Sequence, residues 1–466
     1  MTDFRTEKDS LGDVRVPVDA WYAAQTQRAV DNFPISGIRF SRRFIEALGT
    51  VKLAAAKANE GLGILDSETA AAIAGAAEQV RSGAYDDQFV LDIFQTGSGT
   101  SSNMNANEVI SNLATVTRGG KKGEKIVHPN DHVNMSQSSN DVIPTAMHVS
   151  AVVAIELELL PSMEQFTAAL QEKSSEFDDV VKSGRTHLMD ATPVRLGQEF
   201  GGYAAQISQA IQRVKTSRDE LSELALGGTA TGTGINCPAG FASSAIDFIG
   251  EVTGLSFRES PNHFAAQSAK DAFVQASGTL NTLAVSLMKI VNDIRHLSSG
   301  PTSGLSEIVL PAIQPGSSIM PGKVNPVLSE AVMMVCARVM GNHVTITMGG
   351  QHGNFELNVM MPVMAHAMLE SISILSGAMN AFREKCLVGI RADRDRCKEL
   401  LELNPSIATA LNREIGYDMA SKVAKASAAE KKSVRQVVLE MGLLDEKVLD
   451  KLLDVRHMTE PGVPGD

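Results

Sequence analysis

The organisation of this chain is set by one stretch, Gly316-Ser-Ser-Ile-Met-Pro-Gly-Lys-Val-Asn-Pro326. Its glycines and prolines interrupt helical and strand patterns, so we predict a loop, although it holds two hydroxyls, the Lys323 ammonium and the Asn325 carboxamide. A helix is predicted directly after it, over residues 328–347, with Glu330 in the first turn. Because binding residues commonly lie on loops held by a rigid scaffold, we interpret the stretch as a mobile lid over a small anion. The alternative is a helix-capping turn in which serine is the N-cap residue.

Length and composition limit the possible classes of protein. The 466 residues are too many for one small core and suggest two or three domains. Aromatic residues make up only 5%, while Ala, Leu, Val and Met are abundant, which favours helix over sheet. A formal charge of −12 argues against a nucleic-acid partner but not against a small anion, since a few local cations can bind one. The four cysteines have no metal-site spacing and are typical of reduced thiols in an intracellular protein.

Neither a targeting segment nor a membrane span is expected. Residues 1–18 mix acidic and basic side chains and contain no apolar run of the kind found in signal peptides. The most apolar run, residues 151–160, is interrupted by two glutamates and is too short to cross a bilayer. We therefore predict a cytoplasmic protein without a membrane partner.

Long amphipathic segments dominate the middle of the chain, with apolar residues at three- and four-residue steps. They predict a mainly α fold, in which an elongated bundle of long helices forms a central domain between smaller N- and C-terminal domains. The predicted boundaries are 1–136, 137–390 and 391–466. One bundle cannot cover so much apolar surface, so association with further copies is expected. The predicted long segments are 142–178, 193–224, 265–297, 328–348 and 357–385.

Two hydroxyl-rich stretches precede predicted helices, one at residues 95–103 and one at 136–141. Bare N–H groups at a helix start, together with the helix dipole, make an anion site. In the second stretch Asp141 is the expected N-cap residue. For the first, a flexible Gly/Ser linker is the alternative, and the position at a helix entry favours binding. The residues assigned to these two anion sites are Ser98, Gly99, Thr100, Ser138, Ser139 and Asn140.

Three further stretches contain polar residues in predicted loops. His128-Pro-Asn-Asp131 could suggest a metal site, but it lacks cysteine and contains a proline, so no metal is expected. Residues 226–240 are rich in Gly and Thr, yet they lack the preceding strand and the Gly-Lys-Ser/Thr ending of a phosphate loop. His187 lies in a predicted loop, residues 183–193, between two long helices. A solvated or structural histidine is the alternative there, whereas titration near neutrality suits proton transfer.

Together these stretches resemble the class II fumarases, whose superfamily includes aspartase, argininosuccinate lyase and adenylosuccinate lyase. The motifs that carry the resemblance are 316–326, 128–131, 184–187 and 96–100, and the similarity runs along the full chain. Thr186-His187 separates the chain from aspartases, which carry Gln in place of His187. One departure is Met189, where many fumarases have Gln.

The resemblance implies reversible hydration of fumarate to (S)-malate in the tricarboxylic acid cycle, through an aci-carboxylate intermediate and without a cofactor. It also implies a homotetramer in which each active site is assembled from three chains. In that site Ser317 would remove the carbon proton, and His187, oriented by Glu330, would act on the departing hydroxyl. Whether Ser317 or Ser318 lies nearer the substrate carbon stays open.

The resemblance also implies two dicarboxylate sites. An ammonia lyase that acts on aspartate and a catalytically silent structural protein are the competing functions; the first is disfavoured by His187 and the second by the presence of the acid–base groups. The implied substrate-binding residues are Ser98, Gly99, Thr100, Ser138, Ser139, Asn140, Thr186, Ser318, Lys323, Val324 and Asn325, and the second dicarboxylate site comprises His128, Pro129, Asn130 and Asp131.

Overall fold

A computed structural model describes residues 3–464 and confirms the mainly α class, since 61% of the chain is helical. Within that range ten short strands form five two-stranded sheets. The α-helices are α1 Ala24–Asn32, α2 Arg42–Gly61, α3 Ser67–Arg81, α4 Thr100–Thr117, α5 Ser139–Ala154, α6 Leu160–Glu176, α7 Leu196–Leu221, α8 Phe241–Thr253, α9 His263–Ser268, α10 Asp271–Leu297, α11 Val327–Gly350, α12 Met361–Lys385, α13 Arg394–Glu402, α14 Asn412–Ile415, α15 Tyr417–Glu430, α16 Val434–Glu440 and α17 Glu446–Leu452.

Short strands and tight helical turns connect these helices. The π-helical segment Ile155–Leu159 joins α5 to α6, so that helix continues from Ser139 to Glu176. The other short helical turns are Asp86–Gln88, Pro129–Val133, Leu387–Gly389, Pro405–Leu411 and His457–Thr459. The strands are β1 Phe4–Asp9, β2 Gly12–Pro17, β3 Val181–Thr186, β4 Met189–Arg195, β5 Glu223–Leu224, β6 Arg258–Glu259, β7 Ile308–Val309, β8 Gly353–Asn354, β9 Leu357–Asn358 and β10 Arg391–Ala392.

The prediction of a loop over residues 183–193 was wrong, because the segment is an antiparallel hairpin of β3 and β4. Pro193, the expected start of a long helix, lies in β4, and α7 begins at Leu196. The two strands approach closely at Gly184, where an added Cβ would lie 2.4 Å from the Thr192 carbonyl oxygen. A pairing that depends on such a close backbone approach has no signature in the apolar periodicity from which the helix was predicted.

The chain divides into two compact units. Unit 1 comprises residues 1–161, 210–284 and 336–376. Unit 2 comprises residues 162–209, 285–335 and 377–466. This division does not follow the three predicted domains, whose boundaries stay a prediction.

In unit 1 the helices α2 and α3 pack through small residues. Ala54, Ala55 and Ala58 of α2 are fully buried. A Cβ added at Gly49 would lie 2.8 Å from the backbone nitrogen of Arg81, so the helices approach to backbone contact there. Such close packing provides a rigid support for the segments that follow.

Within residues 3–464, two helices are long and apolar enough to cross a membrane by length and composition, Ser139–Glu176 and α11. The most apolar window of the first is 78% buried within the fold, as in the core helix of a soluble protein. The corresponding window of α11 is only 28% buried. Met334, Val344 and Met348 are each more than half exposed and fall on one side of α11. This helix therefore presents an uncovered apolar face.

Candidate active site

In unit 1 the two predicted anion sites come together. Thr100 Oγ1 lies 2.8 Å from Ser98 Oγ and 2.7 Å from Ser139 Oγ. Gly99, the N-cap residue of α4, has a left-handed φ of 72°, which glycine adopts without strain. The starts of α4 and α5 thus converge at a cluster of hydroxyls, and both helix dipoles favour an anion there.

The loop before α4 requires glycine at a second position, Gly97, because of a close backbone approach. A Cβ at Gly97 would lie 1.8 Å from the carbonyl oxygen of Val359. On the other side, the Met361 N–H donates to the Gly97 carbonyl at 3.0 Å. The loop that carries Ser98 is therefore held directly against the start of α12.

The expectation that Asp141 caps α5 was wrong. Ser138 is the N-cap residue, and Asp141 occupies the third helical position of a capping box in which it accepts the Ser138 N–H at 2.9 Å. Asp141 is fully buried and also accepts the N–H groups of Gly227 and Thr229, at 3.0 and 2.9 Å. Burial raises the pKa of the Asp141 carboxyl, while these N–H groups oppose the rise.

The Gly/Thr-rich segment 226–240, to which sequence reasoning gave no role in the site, therefore lies beside it. Asn140 Nδ2 donates to the Ala230 carbonyl at 2.8 Å. Only the composition of the segment could have drawn attention to it, because its partners lie about 90 positions earlier in the chain (86, 88 and 90 for the three bonds).

A buried lysine supports the segment that leads into α5. Lys52 Nζ donates to Asn134 Oδ1 at 3.0 Å and to Gln137 Oε1 at 2.9 Å. Burial lowers the pKa of Lys52 to about 7, and the charge of Asp141 opposes this shift. These hydrogen bonds from a buried ammonium hold the segment that carries Ser138 and Ser139 in a defined position.

The stretch proposed as a second dicarboxylate site forms the π-helical turn Pro129–Val133. His128 Nδ1 accepts the Asp131 N–H at 3.1 Å, and the His128 N–H donates to His132 Nδ1 at 2.9 Å. Asn130 and Asp131 are exposed. Among residues 3–464 no group of three or more His, Cys, Asp or Glu is placed to hold a metal ion. The assignment of a second dicarboxylate site stays a prediction.

In unit 2 two hydrogen bonds close the neck of the 316–326 loop, and a third forms a turn within it. The Gly316 N–H donates to the Lys323 carbonyl at 2.8 Å, and Asn325 Nδ2 donates to the Gly316 carbonyl at 2.6 Å. The Lys323 N–H donates to the Met320 carbonyl at 3.3 Å. Ile319 at the tip is 84% exposed, and the Lys323 and Val324 side chains are exposed as well. The loop is thus internally ordered and faces outward.

Two backbone N–H groups point at the oxygen of Ser317. Its Oγ accepts from the N–H of Ile319 at 3.2 Å and of Met320 at 3.0 Å. Hydrogen bonds to the charged form of a group favour that form, so this geometry favours an ionised serine. Ser318 is exposed and makes no hydrogen bond to other residues in the 3–464 range. The two serines therefore differ in their hydrogen bonds, while which of them lies nearer the substrate carbon stays open.

His187 lies at the tip of the β3–β4 hairpin. His187 and Leu188 both have left-handed φ values, 56° and 61°, as in the two-residue turns that match strand twist. The tip is exposed, with Leu188 at 78% and Met189 at 69%. For residues 3–464 of a single chain, the side chains of His187 and Glu330 make no hydrogen bond. Their expected pairing stays a prediction.

Replacing Gly316 with Ala should open the neck of the loop. The new Cβ would lie 2.3 Å from the Lys323 carbonyl oxygen, so the bond between residues 316 and 323 must lengthen or break. We expect tryptic cleavage after Lys323 to become about tenfold faster, since proteolysis follows local opening. Gly75→Ala in α3 is the control, because its Cβ would meet no other atom of residues 3–464 within 4 Å. Equal cleavage rates in the two variants would contradict a closed neck.

Comparisons with known proteins give the same family over nearly the whole chain. Residues 12–341 match the lyase family, and residues 407–460 match the fumarase C C-terminus. The chain is 54% identical to a class II fumarate hydratase from Halobacterium salinarum, over 99% of this chain and 98% of that protein. It is 51% identical to one from Mycobacterium tuberculosis, over 98% and 96%. A crystal structure of class II fumarase from Schistosoma mansoni superposes with a TM-score of 0.96 at 39% identity, covering 98% of this chain and 100% of that one.

Proposed function

The chain belongs to the class II fumarate hydratase family, and we propose that it catalyses the reversible hydration of fumarate to (S)-malate in the tricarboxylic acid cycle. The observation that carries the proposal is the Ser317 oxygen, which accepts two backbone N–H groups in a chain with this family membership. The proposal needs no cofactor, since proton transfer and charge stabilisation by side chains suffice for a hydration.

The difficulty of the reaction is electrostatic. The proton removed from malate is on a carbon next to a carboxylate that is already negative, so its loss creates an aci-carboxylate with a second charge. We assign proton removal to Ser317, whose ionised form the Ile319 and Met320 N–H groups favour. The Lys323 ammonium would stabilise the added charge, and fixed donors of this kind commonly supply a large share of catalysis.

The other groups take the roles that the family resemblance implies. His187, oriented by Glu330, would donate a proton to the departing hydroxyl, and Thr186 would contact the substrate beside it. The cluster of Ser98, Thr100 and Ser139, at the starts of two helices, would hold a substrate carboxylate. Asn325 donates its amide to the Gly316 carbonyl, so it also shapes the loop that carries the base.

A purified sample tests this function directly. On addition of (S)-malate, we expect the ultraviolet absorbance of fumarate to appear without any added cofactor. Addition of aspartate should produce no fumarate, because His187 stands where aspartases carry Gln. Fumarate formed from aspartate but not from malate would instead establish an ammonia lyase, and no reaction with either would support a structural protein.

We propose a homotetramer, supported by the uncovered apolar face of α11. Met334, Val344 and Met348 are exposed in a helix whose apolar window is only 28% buried. Burying large apolar side chains between subunits is the main driving force for such association. Because the side chains of His187 and Glu330 make no hydrogen bond within residues 3–464 of one chain, neighbouring chains would complete the site. Further proposals are a cytoplasmic location and the absence of nucleic-acid and membrane partners, in keeping with the charge of −12.

Charged substitutions on α11 should therefore separate the subunits. Native mass spectrometry of the wild type should give four times the 49.6-kDa chain mass. We expect Met334→Glu with Val344→Glu to give smaller species and to lower activity at least about tenfold, because like charges would be buried in the contact. Leu11→Glu is the control, since Leu11 is 80% exposed on the turn between β1 and β2. A fully active monomer would contradict a shared active site.

A further inference from the structure

A buried carboxylate lies beneath the hairpin that carries His187. Glu307 is fully buried and accepts both guanidinium Nη groups of Arg185, from Nη1 at 2.9 Å and from Nη2 at 2.6 Å. Arg185 lies on β3, two positions before His187 in the turn. A bidentate pair of guanidinium and carboxylate fixes both the orientation of the two groups and the distance between them, whereas a single hydrogen bond fixes only the distance.

A second cation approaches the same carboxylate. Lys182 Nζ lies 3.2 Å from Glu307 Oε2 and 3.0 Å from Glu199 Oε1. Lys182 and Glu307 are both fully buried, so the centre of this network is withdrawn from solvent, while Glu199 and Arg185 at its ends are partly exposed. Burying charges is costly unless they are well paired, and removing one partner leaves the others uncompensated. The network is thus a rigid arrangement with little tolerance for displacement.

Backbone contacts fix Glu307 from the opposite side. Its carbonyl accepts the Asp393 N–H at 2.9 Å, and its own N–H donates to the Leu297 carbonyl at 2.9 Å. The next two residues form β7, which pairs with β10. From β7 the chain continues into the 316–326 loop. One residue therefore connects the hairpin bearing His187 to the segment that leads to Ser317.

The exposed turn of the β3–β4 hairpin depends on contacts further down the hairpin for its position. Its pairing register shifts between Ser183 and Gly184, so a ladder of three residue pairs, Gly184–Ala191 to Thr186–Met189, separates the irregularity from the turn. The turn residues His187 and Leu188 are exposed and adopt left-handed conformations that non-glycine residues disfavour. From outside the hairpin, Ser406 Oγ holds β4 by donating to the Asp190 carbonyl at 2.9 Å. The β3 strand is held by the Arg185–Glu307 pair, two positions before His187.

We propose that Glu307 is a positioning residue for the hydration reaction, which holds the hairpin through Arg185 so that His187 keeps its productive orientation. This inference rests on the proposed function. Glu307 itself is buried and does not touch the substrate. Its loss would change the placement of a proton-transfer group and leave the carboxylate-binding residues in place, so turnover should suffer more than substrate binding.

Glu307→Gln and Arg185→Gln test the pair. Each should lower kcat about 10- to 100-fold, the effect of a displacement of about 1 Å at a reacting group, with KM changed less than about threefold. The double variant should lose no more than the stronger single variant, because either change alone removes the bidentate contact. Arg195→Gln is the matched control, because Arg195 pairs with Asp178 and Glu460 at the other end of the same hairpin. Its kcat should stay within about threefold of wild type.

Hydrogen exchange separates positioning from general destabilisation. Amides of residues 184–190 should exchange faster in Glu307→Gln, while those of α2 should not change. If Glu307→Gln does not fold, Arg185→Lys replaces it as the test, because lysine keeps the positive charge but cannot form the bidentate contact. The kcat of Arg185→Lys should fall, and an unchanged kcat would overturn the proposal. Equal losses of kcat in Glu307→Gln and Arg195→Gln would also overturn it. If the wild type itself does not hydrate fumarate, the proposed function fails, whereas the exchange result still tests whether the hairpin depends on Glu307.

Discussion

Replacing Ser317 with Ala is expected to lower kcat for fumarate hydration by about a hundredfold or more, the usual contribution of a positioned acid–base group. The hydroxyl is the proposed base, and its oxygen is the acceptor of the Ile319 and Met320 N–H groups. Alanine removes the proton acceptor and leaves those donors without a partner. Steady-state kinetics in both directions should show the loss in kcat, because removal or addition of the carbon proton occurs in each direction.

The neighbouring serine provides the control. Ser318→Ala changes a hydroxyl one position away that is exposed and receives no backbone N–H from residues 3–464. We expect its kcat to remain within about tenfold of wild type, because the proton acceptor is retained. Thermal unfolding and native mass should be unchanged in both variants, since the loop is at the surface. A larger loss in Ser318→Ala than in Ser317→Ala would transfer the role of base to Ser318.

The predictable parts of the structure are those with local causes. The long helix α11 and its acidic first turn follow from apolar spacing and the preceding prolines. The presence of helices after the two hydroxyl-rich stretches follows from small polar residues before apolar runs, although α5 begins at Ser139 and not after Asp141. By contrast, the β3–β4 hairpin depends on backbone approach at Gly184, which leaves no mark on the periodicity.

The same distinction between local and distant causes applies to the candidate site. Its hydroxyl, imidazole and ammonium groups stand out in the sequence by their type and by their position at breaks between helices. The residues that hold these groups in place do not stand out in the sequence. Asp141 accepts hydrogen bonds from Gly227 and Thr229, 86 and 88 positions away, and Arg185 donates to Glu307, 122 positions away. No window of sequence contains both partners of such a contact. The candidate chemical groups could therefore be named from the sequence, and their roles stay a prediction, whereas the contacts that hold them in place required the structure.

The variant His187→Asn should reduce kcat by about a hundredfold or more while leaving the hairpin intact. Position 187 has a φ of 56°, and asparagine is among the residues that best tolerate this left-handed region. The substitution thus removes the imidazole without placing new strain on the turn. Leu188→Asn is the matched control, since it makes the same change at the adjacent turn position, where φ is 61°.

The two variants together separate chemistry from turn geometry. If His187 transfers the proton, His187→Asn should lose turnover with its native mass and unfolding temperature unchanged, whereas Leu188→Asn should stay within about tenfold of wild type. If both variants lost turnover equally, the shape of the exposed tip would be what matters, and the imidazole would have no separate role. Wild-type-like rates in His187→Asn would remove His187 from the mechanism. The acid would then have to come from another group, because the hydroxyl cannot depart without a proton.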